Sequence, residues 1–224
     1  MTMAAWPYHN AAHIQDTLLL SAHLLAAWQQ GDLASEASFW RAPDWSACDA
    51  GLLLLACLVH DWGHDGSPVA SSPTLEALAC ARLDVCWTNW TAAPAERWHG
   101  AGQVIRQVVL ATQASAVHAL HDQYSPRSDA HQRPQTVPMQ HWLSLLMTEA
   151  DVGASLLPHA GLWLTQCVQQ EWHLWAAEMP LARAMPVTDL VALRRRFLTH
   201  VRLSSFCARR IGLQHLLQQG LAFP

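Results

Sequence analysis

Apolar residues recur along this chain at helical spacing, and no stretch alternates strictly between apolar and polar positions between turn residues. Segments rich in Ala, Leu, Gln and Trp are separated by short runs of Gly, Pro and Ser, so the predicted elements are all helices. A first helix is predicted over 7–30, with Pro7 at the N1 position and Gly31 as its stop. A second, capped by Asp44 or Ser46, carries the run LLLLACLV and ends at His60, before Gly63 and Gly66. Thr74 opens a third, to about Trp90, and 95–119 forms a fourth with an interruption. The stretch 122–138 holds three prolines and is the best loop. Pro138 opens a further helix to Leu157, and Gly161 starts one to about Glu178. Thr188 caps a basic helix over 189–202, and the last helix covers 204–219. With no internal repeat and no linker, the expectation is an all-α, single-domain helical bundle spanning 1–224.

Composition narrows the class. Half of the residues are hydrophobic and 13% are charged, the reverse of what disorder requires. A net charge of −4 offers no basic footprint for nucleic acid or an anionic membrane. The longest apolar run is too short for a bilayer, and the start lacks a basic segment followed by an apolar one, so a cytoplasmic protein is expected. Six cysteines without a C-x-x-C pair read as buried, reduced thiols. The tryptophans among aliphatic residues, Trp28, Trp142 and Trp163 included, read as core.

The chemistry lies where polar groups interrupt apolar helices, since a charge there is costly unless paired or bound to a cation. His60 and Asp61 end the most apolar helix, at a last turn that can fray and aim both inward. An imidazole with a carboxylate suits zinc, and carboxylate oxygen suits magnesium or manganese. His9 and His13 are four apart and share one helix face. Asp151 sits in LSLLMTEADVGASLL with no Lys or Arg nearby, whereas Glu149 can face outward. Each feature has a plain alternative: a surface His-Asp pair, a chance histidine pair among fourteen, a hydrogen-bonded aspartate.

Taken together, the order His, His-Asp, Asp is that of the HD phosphohydrolases, and the detail resembles the catalytic domain of class I 3',5'-cyclic nucleotide phosphodiesterases, in a short bacterial-type version. YHNAAH over 8–13 matches that family's YHNxxH, and HDWGHDG over 60–66 resembles its HDxxHPG. TLEALA over 74–79 resembles the segment with the family's glutamate, LATQASAVH over 110–118 resembles LATDMSKH, and ADVGAS over 150–155 resembles ADLSNP. The resemblance implies His13, His60, Asp61 and Asp151 as ligands of a zinc-like ion (Zn, Fe or Mn), with Asp61 bridging to Mg or Mn. It implies His9 as general acid, with His64 and Glu76 orienting His9 or the water around the metals. Tyr8, Asn10 and Gln113 are candidate substrate contacts.

Three departures stand out. Gln113 replaces the family's aspartate, Asp65 replaces its proline, and no purine-selecting glutamine aligns after Asp151. The expected activity is two-metal hydrolysis of a 3',5'-cyclic nucleotide to the nucleoside monophosphate. The alternatives are an HD phosphohydrolase of another nucleotide or phosphate ester, and a catalytically silent nucleotide-binding module. The expected partner is a small phosphodiester or nucleotide, with neither nucleic acid nor membrane. The oligomeric state stays open, a homodimer included.

Overall fold

The chain enters its first helix later than the apolar pattern suggests. α1 spans Ala11–Gln29 and is capped by Asn10, whose Oδ1 accepts the backbone N–H groups of Ala12 and His13. Pro7 lies outside it. The N–H groups of Tyr8 and His9 go instead to the carboxylate of Glu171, at 2.9 and 3.0 Å, so a tertiary acceptor replaces the first helical turn. The computed structural model describes residues 6–31, 40–66, 73–90, 96–125, 135–178 and 189–222.

The other helices are α2 (Ala47–Val59), α3 (Leu75–Trp90), α4 (Glu96–Leu110), α5 (Ala114–Gln123), α6 (Met139–Leu156), α7 (Gly161–Glu178), α8 (Leu190–His200), α9 (Phe206–Arg210) and α10 (Leu213–Ala222). The all-α expectation is met. Ser46 caps α2 by accepting from the N–H of Asp49, and Thr74 accepts from Ala77 ahead of α3. The expected fourth helix is two, α4 and α5, divided at 111–113. The expected last helix is also divided, because Gly212 turns left-handed at φ +86° between α9 and α10. Thr188 lies outside the described residues, and the cap of α8 is Asp189. Two two-residue strands, β1 (Trp40–Arg41) and β2 (Gln135–Thr136), pair in parallel where no strand was expected.

α6 is the central element. It packs against α1, α2 and α4, and Leu143, Leu146, Met147 and Ala150 on it are fully buried. Each buried Leu or Met side chain contributes roughly 1.5–3 kcal/mol. α1 can approach it closely because position 153 is glycine. A Cβ there would meet Leu20 Cδ1 at 2.7 Å. Trp28 and Trp142 join the core with ring centroids 6.0 Å apart, as expected, but Trp163 is exposed on α7. All six cysteines are reduced thiols, and four of them are buried.

Glu149 does not face outward. It is fully buried, and its carboxylate accepts the N–H groups of Ser204 and Ser205 at 2.7 and 2.8 Å and the Ser205 hydroxyl. Those orphan donors at the entry to α9 satisfy it, a tertiary pairing invisible along α6. Burial, partly offset by Ser205 and Ser204, raises its pKa to about 7. Among the described residues no helix is long and apolar enough to cross a membrane.

Candidate metal centre

Three helices bring four side chains to one point. His13 projects from the first turn of α1, His60 and Asp61 directly follow α2, and Asp151 lies in α6. Nε2 of His13 is 3.0 Å from Asp151 Oδ1 and 3.1 Å from Asp61 Oδ2. Nε2 of His60 is 3.1 Å from the same Asp61 oxygen, 3.4 Å from Asp151 Oδ1 and 3.3 Å from His13 Nε2. Donor atoms bonded to one cation at about 2.1 Å lie about 3.0 Å apart in an octahedron and about 3.4 Å apart in a tetrahedron. The observed separations fall between those limits.

Two further observations fit a cation there. Asp61 Oδ2 is buried and makes no hydrogen bond, although both imidazoles stand beside it. An orphaned carboxylate oxygen in such a place is costly unless a positive charge completes it. His60 donates from Nδ1 to the carbonyl of Cys57 at 2.9 Å, which fixes the tautomer and turns the Nε2 lone pair toward the cluster. Without a cation the carboxylates act on protons instead. Burial works against charging His13, but Asp151 and Asp61 raise its pKa to about 9. His60 is likewise lifted well above its ordinary value, chiefly by Asp61 once burial is overcome. Burial opposes charge on Asp61 too, yet His60 and His13 hold it well below its usual range.

The turn after α2 is shaped by two left-handed glycines. Gly63 has φ +83°, and the Arg82 guanidinium occupies the place of a Cβ while donating to the carbonyl of Trp62. Gly66, at φ +74°, gives its N–H to His64 Nδ1 at 3.0 Å. His64 therefore accepts at Nδ1 and, when neutral, carries its proton on Nε2, as a donor rather than a metal ligand. Its ring stacks on that of His9, centroids 3.5 Å apart and planes at 14°. Burial, then the neighbouring His9, lowers the His64 pKa to about 4.

His9 stands beside the cluster rather than in it. His9, Asp61 and His64 form a second convergent group, and His13, His60 and Asp151 the first. His9 Nδ1 donates to Glu171 Oε1 at 2.5 Å, and Glu171 Oε2 holds the backbone of Tyr8 and His9. Glu171 is 1% exposed, and despite burial His9 keeps its carboxyl below the usual value. The sequence reading missed it. Its signal was the one used for Asp151, a carboxylate in the middle of an apolar helix that holds no Lys or Arg.

The remaining candidates are placed differently. Glu76 lies in the first turn of α3 and, among the described residues, neither bonds nor pairs with His9. Asn10 spends its amide on the turn before α1, donating to the carbonyls of Trp6 and Pro7. Tyr8 shares a 3.4 Å hydrogen bond with Ser155 and packs on the rings of His9 and His13. Burial and the Asp151 charge push its phenol upward. Gln113 sits in the break between α4 and α5 and donates to Thr74 Oγ1 at 2.8 Å.

No family model matches the chain, and no curated protein does. Solved structures do match. The structure of LmjPDEB1, a Leishmania cyclic nucleotide phosphodiesterase, in complex with IBMX is 16% identical in sequence, with a TM-score of 0.65 over 97% of this chain and 71% of that one. The chain has the helical phosphodiesterase catalytic-domain fold.

Proposed function

We propose that this protein is a metal-dependent phosphodiesterase that hydrolyses a 3',5'-cyclic nucleotide to the nucleoside monophosphate. The observation that carries the reading is the convergence of His13 and His60 on Asp61 and Asp151, each imidazole 3.0–3.4 Å from both carboxylates, with the unbonded Asp61 Oδ2 among them. These four would hold a zinc-like ion, and Asp61 would share its carboxylate with a second ion, Mg or Mn. Divalent cations there would neutralise the phosphodiester and acidify the attacking water from a pKa of about 15.7 toward about 7.

The chain's own residues do the rest. A departing alkoxide needs a proton, and His9 supplies it. Glu171 fixes the tautomer and aim of His9 from the Nδ1 side and stabilises the ring while it carries the proton. His64, held neutral by burial, stacks on His9 without adding a second positive charge. Glu76 and Gln113 stand as candidates for ordering water and substrate at the edge of the site. Hydrolysis of another phosphate ester is the second reading. It is favoured by Gln113, whose amide is tied to Thr74 where the resembled family has a carboxylate.

The test is a screen of the purified protein with manganese or magnesium against cyclic mononucleotides, nucleoside monophosphates and generic phosphodiesters. Turnover of a cyclic nucleotide that stops on chelation is expected. Turnover of monoesters alone selects the second reading. Stoichiometric metal with no turnover of any substrate shows a silent module.

A further inference from the structure

A cavity of about 280 Å³ opens beside the metal centre, with Asp151 in its wall. Val117 of α5, Val152 of α6 and Phe197 of α8 give it an apolar body. It is lined as well by His118, His200 and Arg202, and among the described residues Asp151 is the only carboxylate lining it. The rings of His118 and His200, from different helices, have centroids 6.0 Å apart. One guanidinium nitrogen of Arg202 donates to the carbonyls of Thr199 and Val201, at 2.9 and 3.1 Å. That anchors the side chain at the end of α8 but uses few of its five donors. Among the described residues no carboxylate forms an ion pair with Arg202. A helix C-terminal cap alone would explain the two backbone bonds. It does not explain why three groups able to carry positive charge, drawn from α5 and the end of α8, ring one cavity that reaches Asp151, a candidate metal ligand.

Resting on the phosphodiesterase reading above, we infer that this cavity receives the part of the substrate beyond the scissile phosphate, and that Arg202, with His118 and His200, binds a second phosphate carried there. The favoured substrate class within that reading is a cyclic nucleotide that carries a second phosphate outside the ring, one phosphate cut at the metal centre and the other held by Arg202. A volume just under the usual range of about 300–1,000 Å³ for small-molecule sites limits the bound part to a body of about one nucleoside. A planar guanidinium with free donors is suited to hold a phosphate bidentately.

The experiment titrates manganese-loaded protein calorimetrically with adenosine 5'-monophosphate and with adenosine 3',5'-bisphosphate, at low and moderate salt. The bisphosphate is expected to bind roughly 10–100-fold more tightly, the range for a charge-assisted contact. The ratio should fall toward one in Arg202→Gln, and with rising salt. Because Arg202 also ends α8, His118→Gln on α5 serves as a second variant and should lower the same ratio. Equal binding of the two ligands, or a ratio that survives both substitutions, overturns the inference. Failure to bind manganese, or to hydrolyse any phosphodiester, overturns instead the reading on which it rests.

Discussion

His9 and Glu171 are joined through both ring and backbone: the carboxylate accepts from His9 Nδ1 at 2.5 Å with one oxygen and from the His9 N–H at 3.0 Å with the other. The same residue therefore aims the imidazole and sets the charge behind it. Glu171→Gln keeps the size and removes the charge. It should slow hydrolysis of an alkyl-leaving-group diester by about 10–100-fold, within the range for impaired acid catalysis, while metal content holds. On a nitrophenyl diester the loss should be much smaller. Glu76→Gln should not alter that dependence on leaving group. Rates on both substrates with metal analysis check this, and an equal loss on both in Glu171→Gln would refute the pairing's role.

Asp61 contributes the orphaned oxygen to which both imidazoles turn. Asp61→Ala should strip metal and abolish metal-dependent hydrolysis while far-UV circular dichroism stays as in the wild type, since α2 ends before Asp61. Turnover at the wild-type rate in that variant would exclude a two-metal site.

His9 and His13 look equivalent at four-residue spacing, but the fold separates them. His13 points into the carboxylate pair and His9 into Glu171. Replacing His13 with Gln should remove metal and activity together. Replacing His9 should leave metal bound and slow a poor-leaving-group substrate by roughly 10²–10⁴-fold. Metal loss in the His9 variant would show that His9 is a ligand.

His121 predicts an acid-sensitive stability. It is buried between Thr148 and Ser204, with 2.9 Å contacts to both hydroxyls, and burial followed by His118 lowers its pKa to about 4. Above about pH 6.5 the ring is neutral in folded and unfolded chains alike, so it costs nothing. As pH falls from about 6.5 to about 4, only the unfolded chain takes up the proton, and stability drops by at most roughly 3 kcal/mol. Glu149, raised to about 7, acts in the opposite sense over much of that window. The comparison must therefore be with His121→Gln, whose urea midpoint should fall less than the wild type's between pH 7 and pH 4.5. Parallel slopes in the two proteins would refute the assignment.

Much of this protein could be read along the chain. Helical periodicity fixed the fold class because an apolar face recurs locally, and His13, His60, Asp61 and Asp151 stood out because ionisable groups within apolar helices are costly. Helix ends were legible where the partner is local, as at Ser46 and Thr74. They were misplaced where the deciding contact is distant, as at Pro7, where Glu171 takes the N–H groups of Tyr8 and His9 from 163 and 162 residues away. The same distance hid the role of Glu171 and the burial of Glu149 against the entry to α9. Tertiary structure alone decided which carboxylate stands behind which histidine, because the pairing depends on α7 closing over the turn before α1. Spacing along one helix can put two side chains on the same face, but only the packing of helices against one another sets what that face meets.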